Sequence, residues 1–152
     1  EARDIELVTG GYVYSAVRSG AAGSAGSITL DARNAITLTG ADWNGYASEV
    51  RSSTDGPGAG ADIVLSGRNI TVADGALIES ISTSGKGGDM LLRGDTVTVR
   101  SATLFSQTTG AGDGGRIGLQ GREVSVLDGA VLWTRALEGS GGAAGDIELA
   151  AA

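Results

Sequence analysis

The chain has 152 residues, the length of one domain; 27 are glycine, and apolar residues make up 41% while aromatics make up only 4%. Cysteine and histidine are absent, which excludes a disulfide framework, a zinc–thiolate site and a Ser-His-Asp triad. Eleven basic against eighteen acidic side chains leave a net charge of −7, the reverse of a nucleic-acid binder's balance, and the apolar runs are too short for a membrane-spanning helix.

Apolar pairs separated by one residue run through the whole chain. That is the period-two pattern of strands with one buried face. The first turn contributes Ile5/Leu7 and Val13. The second opens at Ser27-Ile28-Thr29-Leu30, continues with Ile36/Leu38, and carries about eight extra residues around Asp42-Trp43-Asn44-Gly45-Tyr46-Ala47. The third reads Asp62-Ile63-Val64-Leu65, Ile70/Val72, Asp74-Gly75-Ala76 and Ile78. Asp89-Met90-Leu91-Leu92, Val97/Val99 and Phe105 form the fourth. The fifth runs Arg116-Ile117-Gly118-Leu119, Val124/Val126, Asp128-Gly129-Ala130 and Leu132, with three extra residues around Leu137 to Gly142. Asp146-Ile147-Glu148-Leu149 opens a further turn.

The leading apolar residues Ile28, Ile63, Met90, Ile117 and Ile147 are spaced 35, 27, 27 and 30 apart. The same residue type recurring at such a period marks a repeat architecture. Three short strands per repeat, rich in β-branched residues and joined by glycine turns, describe one coil of a single-stranded parallel β-helix. A sandwich or an antiparallel barrel also uses many short strands, but neither predicts this recurrence. The reading is an all-β solenoid of about five coils of ~27–35 residues, with residues 1–152 as one segment and a long loop insertion at about 41–48. Glycine in the closing loops, such as Ser84-Gly85-Lys86-Gly87-Gly88, is expected to supply backbone angles that other residues resist. The chain begins and stops inside repeats, so it is expected to be an uncapped piece of a longer solenoid, or else a unit that pairs end to end with other copies.

The run Ala25-Gly26-Ser27-Ile28-Thr29-Leu30, then Ile36-Thr37-Leu38, recurs as Asp62-Ile63-Val64-Leu65, Ile70-Thr71-Val72 and Asp74-Gly75-Ala76-Leu77-Ile78. This pattern resembles the filamentous-haemagglutinin-like repeats of two-partner-secretion exoproteins. The resemblance covers essentially the whole chain. It implies a right-handed β-helix, secreted or displayed on the outer surface of a Gram-negative or cyanobacterial cell, serving adhesion, aggregation or biofilm. The Asn-Pro-rich motifs of that family's secretion domain do not occur, and the single proline is Pro57. The resemblance therefore implies a structural shaft segment.

Several residues compete for chemistry. Arg93-Gly94-Asp95 spells a cell-attachment tripeptide, but Gly67 and Gly121 share its turn position. The neighbouring column reads Arg68, Asp95, Arg122; stacked at about 4.8 Å these charges alternate and can pair across coils. Asp89, Arg116 and Asp146 alternate likewise, whereas Asp62 over Asp89 would repel unless water or a cation intervenes. The segment Ser84 to Leu91 brushes a calcium-binding nonapeptide, but once per coil, so no metal site or cofactor is assigned, with bound calcium as the alternative. Asp74 and Asp128 sit two coils apart, about 9.6 Å, at or just beyond the upper end of the ~6.5–9.5 Å range for inverting glycosidases. Both precede Gly-Ala in a turn that itself favours aspartate. Trp43 and Tyr46 could stack on sugar rings, or the insertion could fold back and bury them. Trp133 is placed beside the third column facing outward, and Tyr12 and Tyr14 bracket Val13.

The leading functional expectation is non-enzymatic: a shaft whose partners are the rest of a longer polypeptide or other copies, and host or cell-surface glycans or receptors. The alternatives are a carbohydrate-binding or polysaccharide-degrading β-helix and a self-assembling fibre subunit.

Overall fold

A computed structural model describes residues 2–137 and 141–152. Fourteen strands and no helix form among them. They are β1 (Ala2–Val8), β2 (Tyr12–Val17), β3 (Ile28–Thr39), β4 (Glu49–Thr54), β5 (Ile63–Ser66), β6 (Asn69–Ala73), β7 (Leu77–Ser82), β8 (Met90–Arg93), β9 (Thr96–Arg100), β10 (Thr103–Thr108), β11 (Ile117–Gly121), β12 (Glu123–Leu127), β13 (Val131–Ala136) and β14 (Ile147–Ala151). All pairings between these strands are parallel, each joining a strand to its equivalent one turn away. The result is a parallel β-solenoid of about five turns with three faces.

The first face holds the start of β3 with β5, β8, β11 and β14. The second holds β1, the end of β3, β6, β9 and β12. The long β3 bends round the corner between them. The third face is a separate sheet in the order β13-β10-β7-β4-β2.

The registers stack like on like. Ile28, Ile63, Met90, Ile117 and Ile147 form one column. Ile5, Ile36, Ile70, Val97 and Val124 form the second, with Leu7, Leu38, Val72, Val99 and Val126 beside them. The middle members are fully buried. Each such side chain contributes ~1.5–3 kcal/mol by leaving water. The third column is Val13, Val50, Ile78, Leu104 and Leu132. It corrects the sequence expectation at one place: Leu104 points inward and Phe105, one residue on, points out, because a one-residue offset reverses the face.

The extra residues of the second turn are also distributed differently from expectation. Thr39 pairs with Ala73 and Glu49 with Leu77, so residues 40–48 stand where 74–76 do in the next turn. The remaining surplus sits one residue at the corner 31–35 and one in the loop 55–62. Of the second insertion, around Leu137 to Gly142, residues 138–140 lie outside the described residues.

Glycine has two separate jobs. In the turns at Asp74-Gly75 and Asp128-Gly129 both residues have positive φ. The aspartates tolerate this conformation and the glycines adopt it freely. The closing-loop glycines are different. At Gly88 an added Cβ would lie 2.0 Å from the Ala61 carbonyl oxygen, and at Gly115 it would lie 2.1 Å from that of Gly88. Their φ angles are not positive. Close stacking of one turn on the next, rather than backbone angle, requires glycine there.

Candidate functional site

The third face separates an inner polar ladder from an outer aromatic surface. Inside, next to the aliphatic column, Ser15, Ser52, Ser80, Ser106 and Thr134 stack in register. Gly26, Ala61, Gly88 and Gly115 donate their N–H groups to Ser15, Ser52, Ser80 and Ser106 respectively, at 3.0, 2.8, 2.9 and 2.9 Å. Ser106 in turn donates to the Gly88 carbonyl at 3.0 Å. In the inner turns the Ser52, Ser80 and Ser106 hydroxyls satisfy loop amides that would otherwise be buried unpaired, whereas the Gly26–Ser15 bond at the first turn is exposed. The signal in the sequence is an apolar-x-Ser triplet in the third strand of four turns, with Leu132-Trp133-Thr134 in the fifth, which periodicity alone does not distinguish from a surface hydroxyl.

Outside, the same strands present Tyr14, Arg51, Glu79, Phe105 and Trp133 in one row across five turns. Tyr12, Glu49 and Leu77 begin the row beside it. Trp133 and Phe105 stack with centroids 4.4 Å apart, and the Arg135 guanidinium lies 4.7 Å over the Trp133 ring. The Arg51 guanidinium lies 5.8 Å from the Tyr14 ring centre.

In the middle of this row Glu79 is buried. Arg51 Nε lies 2.9 Å from Glu79 Oε1, and Arg51 Nη1 lies 3.8 Å from Glu49 Oε1. Glu79 Oε1, Arg51 Nε and Glu49 Oε1 are buried and nevertheless lack an aligned hydrogen bond, so the contacts are Coulombic. Burial pushes the Glu79 carboxyl up to about 7; Arg51 opposes the rise, and the neighbouring Glu49 carboxylate adds to it.

The 40–48 insertion flanks this surface. It is a small hairpin, with an Ala41–Ala47 bridge. Asp42 Oδ1 accepts the N–H groups of Asn44 and Tyr46 at 2.8 and 2.9 Å. The aromatics of the hairpin are not folded under it: Trp43 is 93% and Tyr46 71% exposed. Tyr46, Ala47 and Asp42 face Tyr12, Glu49 and Leu77 across a groove of about 530 Å³. Tyr12 is itself 70% exposed. All six aromatic side chains therefore belong to this face and its hairpin.

The other sequence candidates lie elsewhere. Arg93-Gly94-Asp95 forms the tight corner between β8 and β9; Arg93 and Asp95 are exposed, and Gly94 N–H donates to the Gln120 carbonyl at 3.0 Å. A Cβ on Gly94 would lie 2.4 Å from the Gly67 carbonyl oxygen, so this glycine too is set by stacking. Arg68, Asp95 and Arg122 do stack at that corner, but no ion pair joins them among the described residues. Arg68 shares a depression with Arg3 and Arg33. Asp95 and Arg122 line another with Glu123.

Asp89, Arg116 and Asp146 do converge, on a depression shared with Lys86 and Asp113. Their side chains take different partners from those expected. Asp89 pairs with Lys86 at 2.8 Å and Arg116 pairs with Glu148. Asp62 over Asp89 is not a repulsive contact, because Asp62 Oδ1 accepts the Asp89 backbone N–H at 2.9 Å. Asp89 Oδ1 accepts the Arg116 N–H at 2.8 Å in the same way. Desolvation works against the charged Asp89, but the Lys86 and Arg116 contacts outweigh it and hold the carboxyl below its usual value. Asp74 is engaged by Thr39 at 3.0 Å and by Arg100 at 3.2 Å. Among the described residues no cluster of three or more acidic side chains gathers to hold a metal ion.

These features define a parallel β-solenoid with one aromatic-bearing face. No known protein family, curated protein or solved structure matches the chain.

Proposed function

We propose that this chain is a shaft segment of a secreted or surface-displayed bacterial adhesin or filament, and that its role is mechanical. The observation that carries the reading is the in-register stacking of aliphatic columns and parallel ladders on all three faces, shifted among the described strands only between Ala2 and Asp4 of β1. Every turn is hydrogen-bonded to the next along its strands, so load applied along the axis is shared among many backbone bonds. Such a rod holds a binding region away from the cell surface and serves adhesion, aggregation or biofilm. The likeness of its repeats to filamentous-haemagglutinin-like sequences supports the same reading, with further solenoid or other copies as its partners.

The test is the native location and size of the protein. An antibody to this segment is used to blot surface, medium and cytoplasmic fractions of the producing organism. The reading expects a surface or medium species well above 15.0 kDa. Material confined to the cytoplasm would overturn it.

A further inference from the structure

We infer that the groove between Tyr12 and the 40–48 hairpin is a binding site for an uncharged glycan. The inference is independent of the shaft reading, because it rests on side chains that the solenoid does not need for stacking. A lone exposed aromatic on a strand is ordinary, but here two exposed tyrosines from different turns face one groove. A third ring, Trp43, stands at the tip of the same hairpin. Building this arrangement takes an insertion that the next turns lack, with its turn held by two hydrogen bonds to Asp42.

The chemistry of the lining selects the ligand. Tyrosine rings offer flat apolar faces with a hydroxyl at the edge, which suits a sugar ring with its C–H face and rim of hydroxyls. Asp42 and Glu49 are acceptors, so a ligand rich in O–H donors is matched. A polyanion is rejected by those carboxylates and by the chain's net charge of −7. A simple cation is not favoured either. The Glu49 charge is met by Arg51 at 3.8 Å, and Asp42 Oδ1 by two backbone N–H groups. A polyproline segment presents carbonyl acceptors without N–H donors and leaves both carboxylates unmatched.

The test uses the whole 152-residue chain on an array of neutral gluco-, manno- and galacto-oligosaccharides, with heparin, choline and a proline-rich peptide as further arms. Titration of the best neutral oligosaccharide then gives its affinity. The inference predicts binding to at least one neutral oligosaccharide, weakened about tenfold by Tyr12→Ala and by Tyr46→Ala. Tyr12→Phe and Tyr46→Phe keep the ring and should stay within about threefold. Circular dichroism and melting of each variant separate lost binding from lost fold. Absence of neutral-glycan binding, a preference for heparin, choline or peptide, or binding that survives both alanine substitutions would overturn it.

Discussion

Trp133 lies flat on Phe105, with ring centroids 4.4 Å apart and planes 8° from parallel, because the two residues occupy the same position in successive turns. The turn spacing of a parallel ladder, about 4.8 Å, is close to the stacking distance of aromatic rings. Register thus converts two residues 28 apart in sequence into a stacked pair, and Arg135 closes over it.

That stack has a measurable worth. A double-mutant cycle with Phe105→Ala and Trp133→Ala in urea should return a coupling of ~0.5–1.5 kcal/mol. A coupling near zero would mean the rings are neighbours without interaction.

The aliphatic columns set the larger energies. Leu92 is fully buried between Leu65 and Leu119. Leu92→Ala should cost ~2–5 kcal/mol in equilibrium unfolding, through lost burial and an unfilled cavity. Thr98, on the outside of β9, should tolerate alanine within ~0.5 kcal/mol.

The serine ladder predicts that small polar changes inside the coil are costly. Ser80→Ala leaves the Gly88 N–H without its side-chain acceptor, and a loss of ~1–3 kcal/mol is expected. Gly88→Ala should be worse, since its Cβ would meet the Ala61 backbone at 2.0 Å. Chemical denaturation of both variants, ranked against Leu92→Ala, checks the order.

Two carboxyls give stability opposite pH slopes. Glu79 titrates near 7 in the folded protein, against 4.5 for the ordinary side chain. Between those values the folded state holds a proton that the unfolded state has released, so stability falls as pH rises from about 4.5 to 7. Glu79→Gln should flatten that slope. Asp89 is held below its ordinary 3.8, so its contribution is present above that pH and is lost as acid protonates it. Asp89→Asn should therefore reduce the acid-induced fall below pH 4. Melting temperatures across pH 3–8 read both effects.

Much of this architecture is legible in the sequence. The columns containing Ile63 and Ile117, and Ile70 and Val97, can be aligned because stacking demands similar residues at equivalent positions. The third column slipped at Phe105 because Leu104 and Phe105 are adjacent and both apolar, and only the partner register chooses between them. Ser80 and Ser106 looked like ordinary strand-surface residues, since an inward serine is recognisable only once the loop amide it accepts is in place. Trp43 and Tyr46 are legible as binding candidates, but Tyr12 and Glu49 join Tyr46 in the groove through pairing across turns, which composition does not reveal. The charge column at Arg68, Asp95 and Arg122 is legible as a stack, yet stacking alone does not make an ion pair: Arg68 lines one depression with Arg3 and Arg33, and Asp95 and Arg122 line another.

The stacking register is the claim on which the rest depends, and the absence of native cysteine makes it directly testable. Thr71, Thr98 and Ser125 are equivalent outward positions of three successive turns. A Thr71→Cys/Thr98→Cys protein places its Cα atoms about 4.8 Å apart, within disulfide range, and should cross-link under mild oxidation. A Thr71→Cys/Ser125→Cys protein, at about 9.6 Å, should remain reduced. Failure of the first pair to close, or ready closure of the second, would contradict the solenoid register.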